Sequence, residues 1–479
     1  MATATSSCPN CGAPIEFALG SSLAKVCEYC RHTVVRNDRG LEGLGQVADL
    51  ALTPALIAVG DEGKLGQQSL RVLGRVQLDH GLGPWDEYFV ALDQGASFAW
   101  LAYAQGQWFI TWRIESERVP AFEQLTLELE LRLGGRPFFV SEIKQGRVVS
   151  TEGEFQEPIR PGAARRYADC RGPDNAFGTV DYGEPGAPVI VYTGWAFPEP
   201  ALEITALGPR STQKVRSTTL RCPNCGGDIA KLAGERSERV GCPYCGALSD
   251  IAEQRVISAQ EQARAAPAIP LGKSGLLNGV SYACIAYLRR SSSFDGEHYQ
   301  WEEFLLWSQA IGFRWLVNDP EAGWSFVSPV NLAEIERRGL PEQLTWQGRT
   351  FQRRNQNQAR VDYVLGEVYW KCSVGETTSV ADYVDGDRVL SREMGNGEVF
   401  YSLSTPVPWL VLAHAFEVPA GASGGGGRKL GCSWTLIAIV IVGIVLFVAL
   451  MQSCGSCAGG DGTGSGASSR GVGVFYGGK

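Results

Sequence analysis

Apolar positions along the chain come in short runs that are aromatic and β-branched, broken by glycine, and too brief for long helices. "SLRVLGRVQL" from Ser69, "WDEYFVAL" from Trp85, "SFAWLAYA" from Ser97 and "QWFITWRI" from Gln107 are the clearest. They predict an antiparallel meander. Two stretches read differently: "LEGLGQVADLAL" from Leu41 and "AEQRVISAQEQARAA" from Ala252 carry helix-forming residues, and predict short helices.

One block breaks the pattern altogether. No charged residue occurs from Leu430 to Gly460, and Trp434 to Met451 is nearly all apolar. A helix needs about 20 apolar residues to cross a bilayer core, and 431–453 supplies them. The span predicts a single transmembrane helix, with 421–430 as a glycine-rich tether and 454–479 as a low-complexity tail. Arg428 and Lys429 precede it directly and the next basic residue is Arg470. Positive charge favours the cytoplasmic side, so the expectation is a single-pass protein of the cell membrane with its amino-terminal bulk in the cytoplasm. The opening residues lack the basic and apolar blocks of a secretory signal.

A second periodicity is much longer. "SCPNCGAPI" at Ser7 returns as "RCPNCGGDI" at Arg221, and an offset of 213 brings "GGRPF" at Gly134 onto "QGRTF" at Gln347. "WDEYFVAL" matches "WEEFLLWS" at Trp301, and "FAWL" at Phe98 matches "FRWL" at Phe313. The chain is therefore a tandem duplication, mainly β. Each unit is expected to be a zinc ribbon (1–40 and 220–252) followed by an antiparallel β-rich domain (54–205 and 268–420).

Of 14 cysteines, eight form four Cys-x-x-Cys pairs: Cys8 with Cys11, Cys27 with Cys30, Cys222 with Cys225, and Cys242 with Cys245. Their spacing is that of a four-thiolate zinc site, so two structural Zn2+ ions are expected. A closed tetrahedron leaves no position for an activated water. Cys170, Cys284 and Cys372 share no spacing and are expected in the core. Cys454 and Cys457 form a fifth pair in the tail, with no second pair to complete a site.

The ribbon, "GKLG" near Gly63, "VLGRV" near Val72, "WDEY" at Trp85 and "WLAYAQGQW" at Trp100 resemble a bacterial family catalogued as domain of unknown function 4178. "GKSG" at Gly272 and "WEEF" at Trp301 extend the resemblance to the second copy, where "ACIAYL" replaces the glycine-containing strand. No activity comes with it. It implies an association with membrane-stress proteins of the phage-shock type and with polyamine synthase-like proteins, and so a role at the envelope.

Candidate chemistry is sparse. Asp86-Glu87 and Glu302-Glu303 follow a tryptophan in each copy, but adjacent strand residues point to opposite faces and cannot form a dyad. They are expected on solvated strand faces or beside an arginine. A meeting of one carboxylate from each copy across an interface remains open. His32, His80, His298 and His414 share no spacing with a nucleophile or a metal motif. No phosphate loop follows a strand. A formal charge of -8 offers no basic excess for phosphates, so no nucleic-acid partner is expected.

Two functions follow. The first is a non-enzymatic, membrane-tethered cytoplasmic adaptor or scaffold, whose duplicated domains bind cytoplasmic or membrane proteins, in envelope stress or homeostasis. The alternative is an enzyme or small-ligand sensor with a pocket in the β-rich domains. Whether Trp85, Glu87 and Trp100 converge on a concave pocket or lie within a packed sheet separates the two.

Overall fold

The four apolar runs do form a meander. In the computed structural model, β1 (Gln68–Asp79), β2 (Pro84–Leu92), β3 (Ser97–Ala104) and β4 (Gln107–Ile114) pair in succession, all antiparallel. The structure describes residues 5–17, 22–37, 40–46, 56–81, 84–115, 118–205, 219–259, 266–294, 297–336 and 338–421. A second meander follows: β5 (Arg136–Phe155), β6 (Ala164–Arg171), β7 (Ala176–Gly183) and β8 (Ile190–Pro198). Because β4 pairs with β8 and β1 with β5, the two meanders close into an eight-stranded barrel. Closure leaves no open edge among these eight strands.

The second copy repeats this ring. Its strands are β9 (Val280–Phe294), β10 (Glu297–Ser308), β11 (Gly312–Asp319), β12 (Gly323–Val330), β13 (Arg349–Val368), β14 (Thr377–Asp385), β15 (Arg388–Gly395) and β16 (Glu398–Pro406). Here β12 pairs with β16 and β9 with β13. Even the irregularities recur, since the bulge between Val140 and Glu142 in β5 returns between Arg353 and Asn355 in β13. At Gly153 and Gly366 the backbone takes φ of 84° and 83°. A Cβ there would lie 2.1 Å from the Leu73 carbonyl oxygen and 2.3 Å from that of Ile285. Only glycine fits both the dihedral and the close approach.

Three expectations change. "GKSG" at Gly272 is the counterpart of "GDEG" at Gly60 rather than of "GKLG": Gly60 N donates to Val72 O, as Gly272 N does to Cys284 O. Gly40–Gln46 is a strand paired with His32–Asn37, not a helix; its three glycines disfavour helix and suit a hairpin. Arg255–Ser258 is likewise a strand rich in β-branched residues, paired with Leu248–Asp250 through Arg255, Val256 and Ser258. The rest of both helix expectations (47–52 and 260–265), the tether beyond Gly421, the transmembrane span 431–453 and the tail lie outside the described residues. No helix among the described residues is long and apolar enough to cross a membrane. Their one α-helix, α1 (Trp409–Ala415), starts after Pro408 and buries Leu412 and Phe416 against the second barrel.

Each ribbon docks by adding a strand to the far end of the long fifth strand of its barrel. Ala24–Val26 pairs with Glu154 and Phe155 of β5, and Arg239–Gly241 pairs with Gly366 to Val368 of β13. The barrels also touch each other. Ile143 N on β5 donates to Gly397 O at the tip of the β15–β16 hairpin (2.9 Å), and Lys144 pairs with Glu398 at 2.5 Å. Nearby, Glu128 accepts from Arg392 Nε (2.8 Å) and Nη2 (3.0 Å) and from Tyr401 Oη (2.6 Å).

Candidate functional site

The eight knuckle cysteines gather into two groups, Cys8, Cys11, Cys27 and Cys30 in one and Cys222, Cys225, Cys242 and Cys245 in the other, with all thiols of a group within 4.8 Å of one another. Each knuckle is a tight turn: Gly12 N donates to Cys8 O, and Gly226 N to Cys222 O. Sγ–Sγ separations are 3.6 Å (Cys8 to Cys30), 3.8 Å (Cys11 to Cys27), 3.7 Å (Cys222 to Cys245) and 3.8 Å (Cys225 to Cys242). A tetrahedral ion with metal–sulfur bonds of about 2.3 Å has edges of about 3.8 Å. The thiols thus stand where four ligands of one ion would. Asn224 Nδ2 donates to Cys245 Sγ at 3.4 Å. Burial pushes the Cys245 thiol up, but that bond and backbone donors bring it down to about 6; Cys30, beside Asn10, is also drawn down to about 6. Their neighbours Cys11 and Cys242 are shifted up to about 12, so one thiol in each cluster ionises first, and a metal ion would draw the proton from the others. The other three cysteines of the described barrels, Cys170, Cys284 and Cys372, are buried in the core.

The acidic pairs divide as strand geometry requires, and in each copy one carboxylate stands beside an arginine, Asp86 by Arg75 and Glu303 by Arg290. Asp86 turns outward from the first barrel and pairs with Arg75 (2.8 and 2.9 Å) under cover. Glu87 turns into the barrel. In the second copy Glu302 accepts from Tyr287 Oη (2.7 Å) and Asn318 Nδ2 (2.8 Å), while Glu303 faces the lumen. The two inward carboxylates do not meet, because each is enclosed by its own barrel. Each accepts from the indole two residues earlier: Trp85 Nε1 to Glu87 at 3.5 Å and Trp301 Nε1 to Glu303 at 2.8 Å.

What surrounds these two carboxylates differs sharply. In the first barrel, Trp85, Glu87 and Trp100 converge on a cavity of about 70 Å³, together with Thr111, Arg165, Tyr167, Asp181 and Tyr192. A water needs only about 10–15 Å³ by this measure. Phe109 and Phe177, 4.7 Å apart, form its floor. Burial, then the carboxylates of Glu142, Asp169 and Glu87, push the Tyr167 hydroxyl well above the usual tyrosine range. It donates to Glu142 at 3.2 Å.

In the second barrel the same space is filled. Val148 pairs with Leu78 where Val361 pairs with Arg290, so an arginine stands in the place of a leucine. Arg290 Nη1 donates to Glu303 (3.2 Å) and to Glu393 (3.1 Å), the counterpart of Asp181, and Nη2 donates to Thr378 (2.7 Å), the counterpart of Arg165. Trp370 covers Trp315, the counterpart of Trp100, edge-on at 5.6 Å. The corresponding residue of the first barrel, Glu157, lies in solvent beside Arg113. Burial raises Glu303 and Glu393, the latter to about 7 despite Arg290.

The sequence left a cavity at Trp85, Glu87 and Trp100 as the open alternative, and the structure shows it in the first barrel; the plug in the second was not foreseen. A signal was there, in Arg290 and Trp370 standing opposite Leu78 and Glu157 once the copies are aligned. Of the histidines, His80 packs on Trp85 at 4.9 Å, with burial holding it down at about 4, and His298 meets Ser293 Oγ at 3.3 Å.

No curated protein and no solved structure matches the chain. A family profile does, twice: the domain of unknown function DUF4178 matches residues 58–199 and 270–408, one copy per barrel and together more than half of the chain. Two matched barrels, each preceded by its four-cysteine cluster, make the chain a tandem member of the DUF4178 family.

Proposed function

We propose that the chain is a non-catalytic binding protein, held at the cytoplasmic face of the membrane by 431–453, in which the first barrel receives a small ligand and the second is its plugged companion. One observation carries this: Trp85, Glu87 and Trp100 line an open cavity, while their counterparts in the same fold are occupied by Arg290 and Trp370. This favours a small-ligand sensor over an adaptor that uses both copies alike. Closed thiolate clusters, which leave no position for an activated water, favour binding over turnover. Each cluster holds one structural zinc, since four thiolates at tetrahedral spacing are a preferred zinc environment. Zinc there fixes a ribbon whose Ala24 packs in one core with Phe155, Trp85 and Tyr167, and so braces the cavity wall.

The test uses the full-length chain. Ala102 lines the cavity, so Ala102→Leu should exclude a small molecule that the unaltered protein retains through purification or takes up from an extract, as read by mass spectrometry. Equal uptake by the variant, or uptake that maps to the second barrel, would refute the receptor role. Turnover of the bound molecule that Glu87→Gln abolishes would replace binding by catalysis. Deleting 431–453 should move the protein to the soluble fraction, and retention on membranes would refute the tether.

A further inference from the structure

Resting on the membrane tether proposed for 431–453, we infer that α1 lies on the bilayer surface, with its outer face seated between the lipid headgroups and the first carbons of the acyl chains. The helix has no charged side. Trp409–Ala415 carries no acidic or basic charge, and Glu417 is the only Asp, Glu, Lys or Arg from Val407 to Gly421. Its inner face is accounted for, because Leu412 and Phe416 are buried against the second barrel. Its outer face is bare: Leu410 is 68 % exposed and Val411 50 %. A helix apolar on every side is ordinarily buried, and this one is buried on one side only.

The first copy supplies the comparison. There the seat of α1 is taken by the strand Leu202–Thr205, which pairs with Glu62–Leu65. A Cβ on Gly63 would lie 2.1 Å from Glu203 O, and one on its counterpart Gly275 would lie 2.7 Å from Phe416 Cδ1 and 2.9 Å from Ala415 O. The end of α1 therefore fills the place of that strand. The strand buries Leu202 and turns Glu203 and Thr205 to solvent. Two copies of one fold thus differ on this outer surface, which is polar in the first barrel and apolar in the barrel that adjoins 431–453. Packing does not call for Leu410 and Val411, since Leu412 and Phe416 already fill the seat.

The exit of the chain says what lies against this face. Trp409 Nε1 donates to Ala420 O at 2.7 Å, which folds the end of the described chain back onto the start of α1. Gly421 thus leaves beside Trp409, next to Leu410 and Val411. Nine residues, 422–430, separate it from the apolar span. Fully extended they reach about 30 Å, and a glycine-rich chain of that length averages about 17 Å end to end. The bilayer is held within that distance of α1, where a contact too weak to hold a free protein is still populated. Two aliphatic side chains entering the interface supply such a contact.

The test reconstitutes the full-length chain in vesicles of phosphatidylcholine and phosphatidylglycerol, with a fraction of the phosphatidylcholine carrying a diazirine high on its acyl chain, and maps the photoadducts by peptide mass spectrometry. Adducts should fall on the peptide with Leu410 and Val411 as well as on 431–453, and not on the peptide with Glu203 and Thr205. Leu410→Ser combined with Val411→Ser should lower the α1 adducts at least about tenfold and leave those on 431–453 unchanged. Adducts on 431–453 with none on α1 in the unaltered chain would overturn the lipid-facing role and keep the tether. Adducts on neither would overturn both. Equal α1 adducts in the double variant would show random collision and overturn the seating. A dimer in detergent that the double substitution dissociates, read by analytical ultracentrifugation, would give the face to a second copy and overturn the lipid assignment.

Discussion

Glu393 should make the second barrel lose stability as pH rises through the weakly acidic range. Arg290, Glu303 and Glu393 are all buried in the lumen, with Asp382 adding negative charge nearby. One guanidinium faces two carboxylates, so the second negative charge is held in a low-dielectric space without a cation of its own. Burial therefore raises Glu393 from 4.5 to about 7. A carboxyl whose folded value is raised contributes stability that is fully present below the unfolded value and is lost as pH climbs to the folded one. The window is thus about pH 4.5 to about pH 7, where the unfolded chain has released the proton and the folded chain still holds it. At 1.36 kcal/mol per unit, the loss across it is about 3 kcal/mol. Glu393→Gln keeps the size and a neutral head, so the variant should lack this loss. Urea unfolding of wild type and variant across the window gives a difference of differences, which cancels the pH dependence of the ribbons that both proteins carry. Parallel loss in the two proteins would show that the proton is not on Glu393, and would refute the charge count on which the plugged lumen rests.

Two further outcomes follow from the backbone and the thiols. Gly366→Ala should cost about 3 kcal/mol or more in chemical unfolding, because a Cβ meets Ile285 O at 2.3 Å in a left-handed dihedral; Gly348→Ala, with a φ of 72° and nothing within 4 Å, should cost only about 1 kcal/mol, and equal effects would refute the close-approach argument. Cys222→Ser should lower the zinc content from two ions per chain to one by elemental analysis and unfold the second ribbon, whereas two ions retained would remove Cys222 from the ligand set.

The parts of this structure legible in the sequence are those set by neighbours in the chain. Cys-x-x-Cys knuckles, strands such as Gln107–Ile114, and the duplication all show as local patterns. Closure does not, since it depends on β1 meeting β5 across the turns between Asp79 and Arg136. The helix expectations failed where pairing overrode composition: Val256 faces Ser249 in a ladder although the flanking residues favour helix. The cavity stayed undecided for a different reason. Trp85 and Trp100 look alike as core residues or as pocket walls, and what decides between them is the residue across the lumen, which strand register alone supplies.

That register also suggests why the copies differ. An open cavity weakens a barrel, because its lining residues lose contacts that a filled core would supply. In the second copy Arg290, Trp315 and Trp370 supply them, and its β15–β16 hairpin then reaches across to the first barrel, where Gly397 meets Ile143 and Glu398 holds Lys144. The ribbon braces the opposite side through Ala24 and Phe155. A barrel supported from both sides can keep an unfilled lumen that would otherwise be a liability. The tryptophan–glutamate pair retained in both copies then serves two ends, anchoring a built-in guanidinium in one and facing a vacant, aromatic-walled space in the other. The duplication thus separates features that a single barrel would have to combine: one copy fills its lumen with Arg290 and Trp370, and the other keeps a cavity.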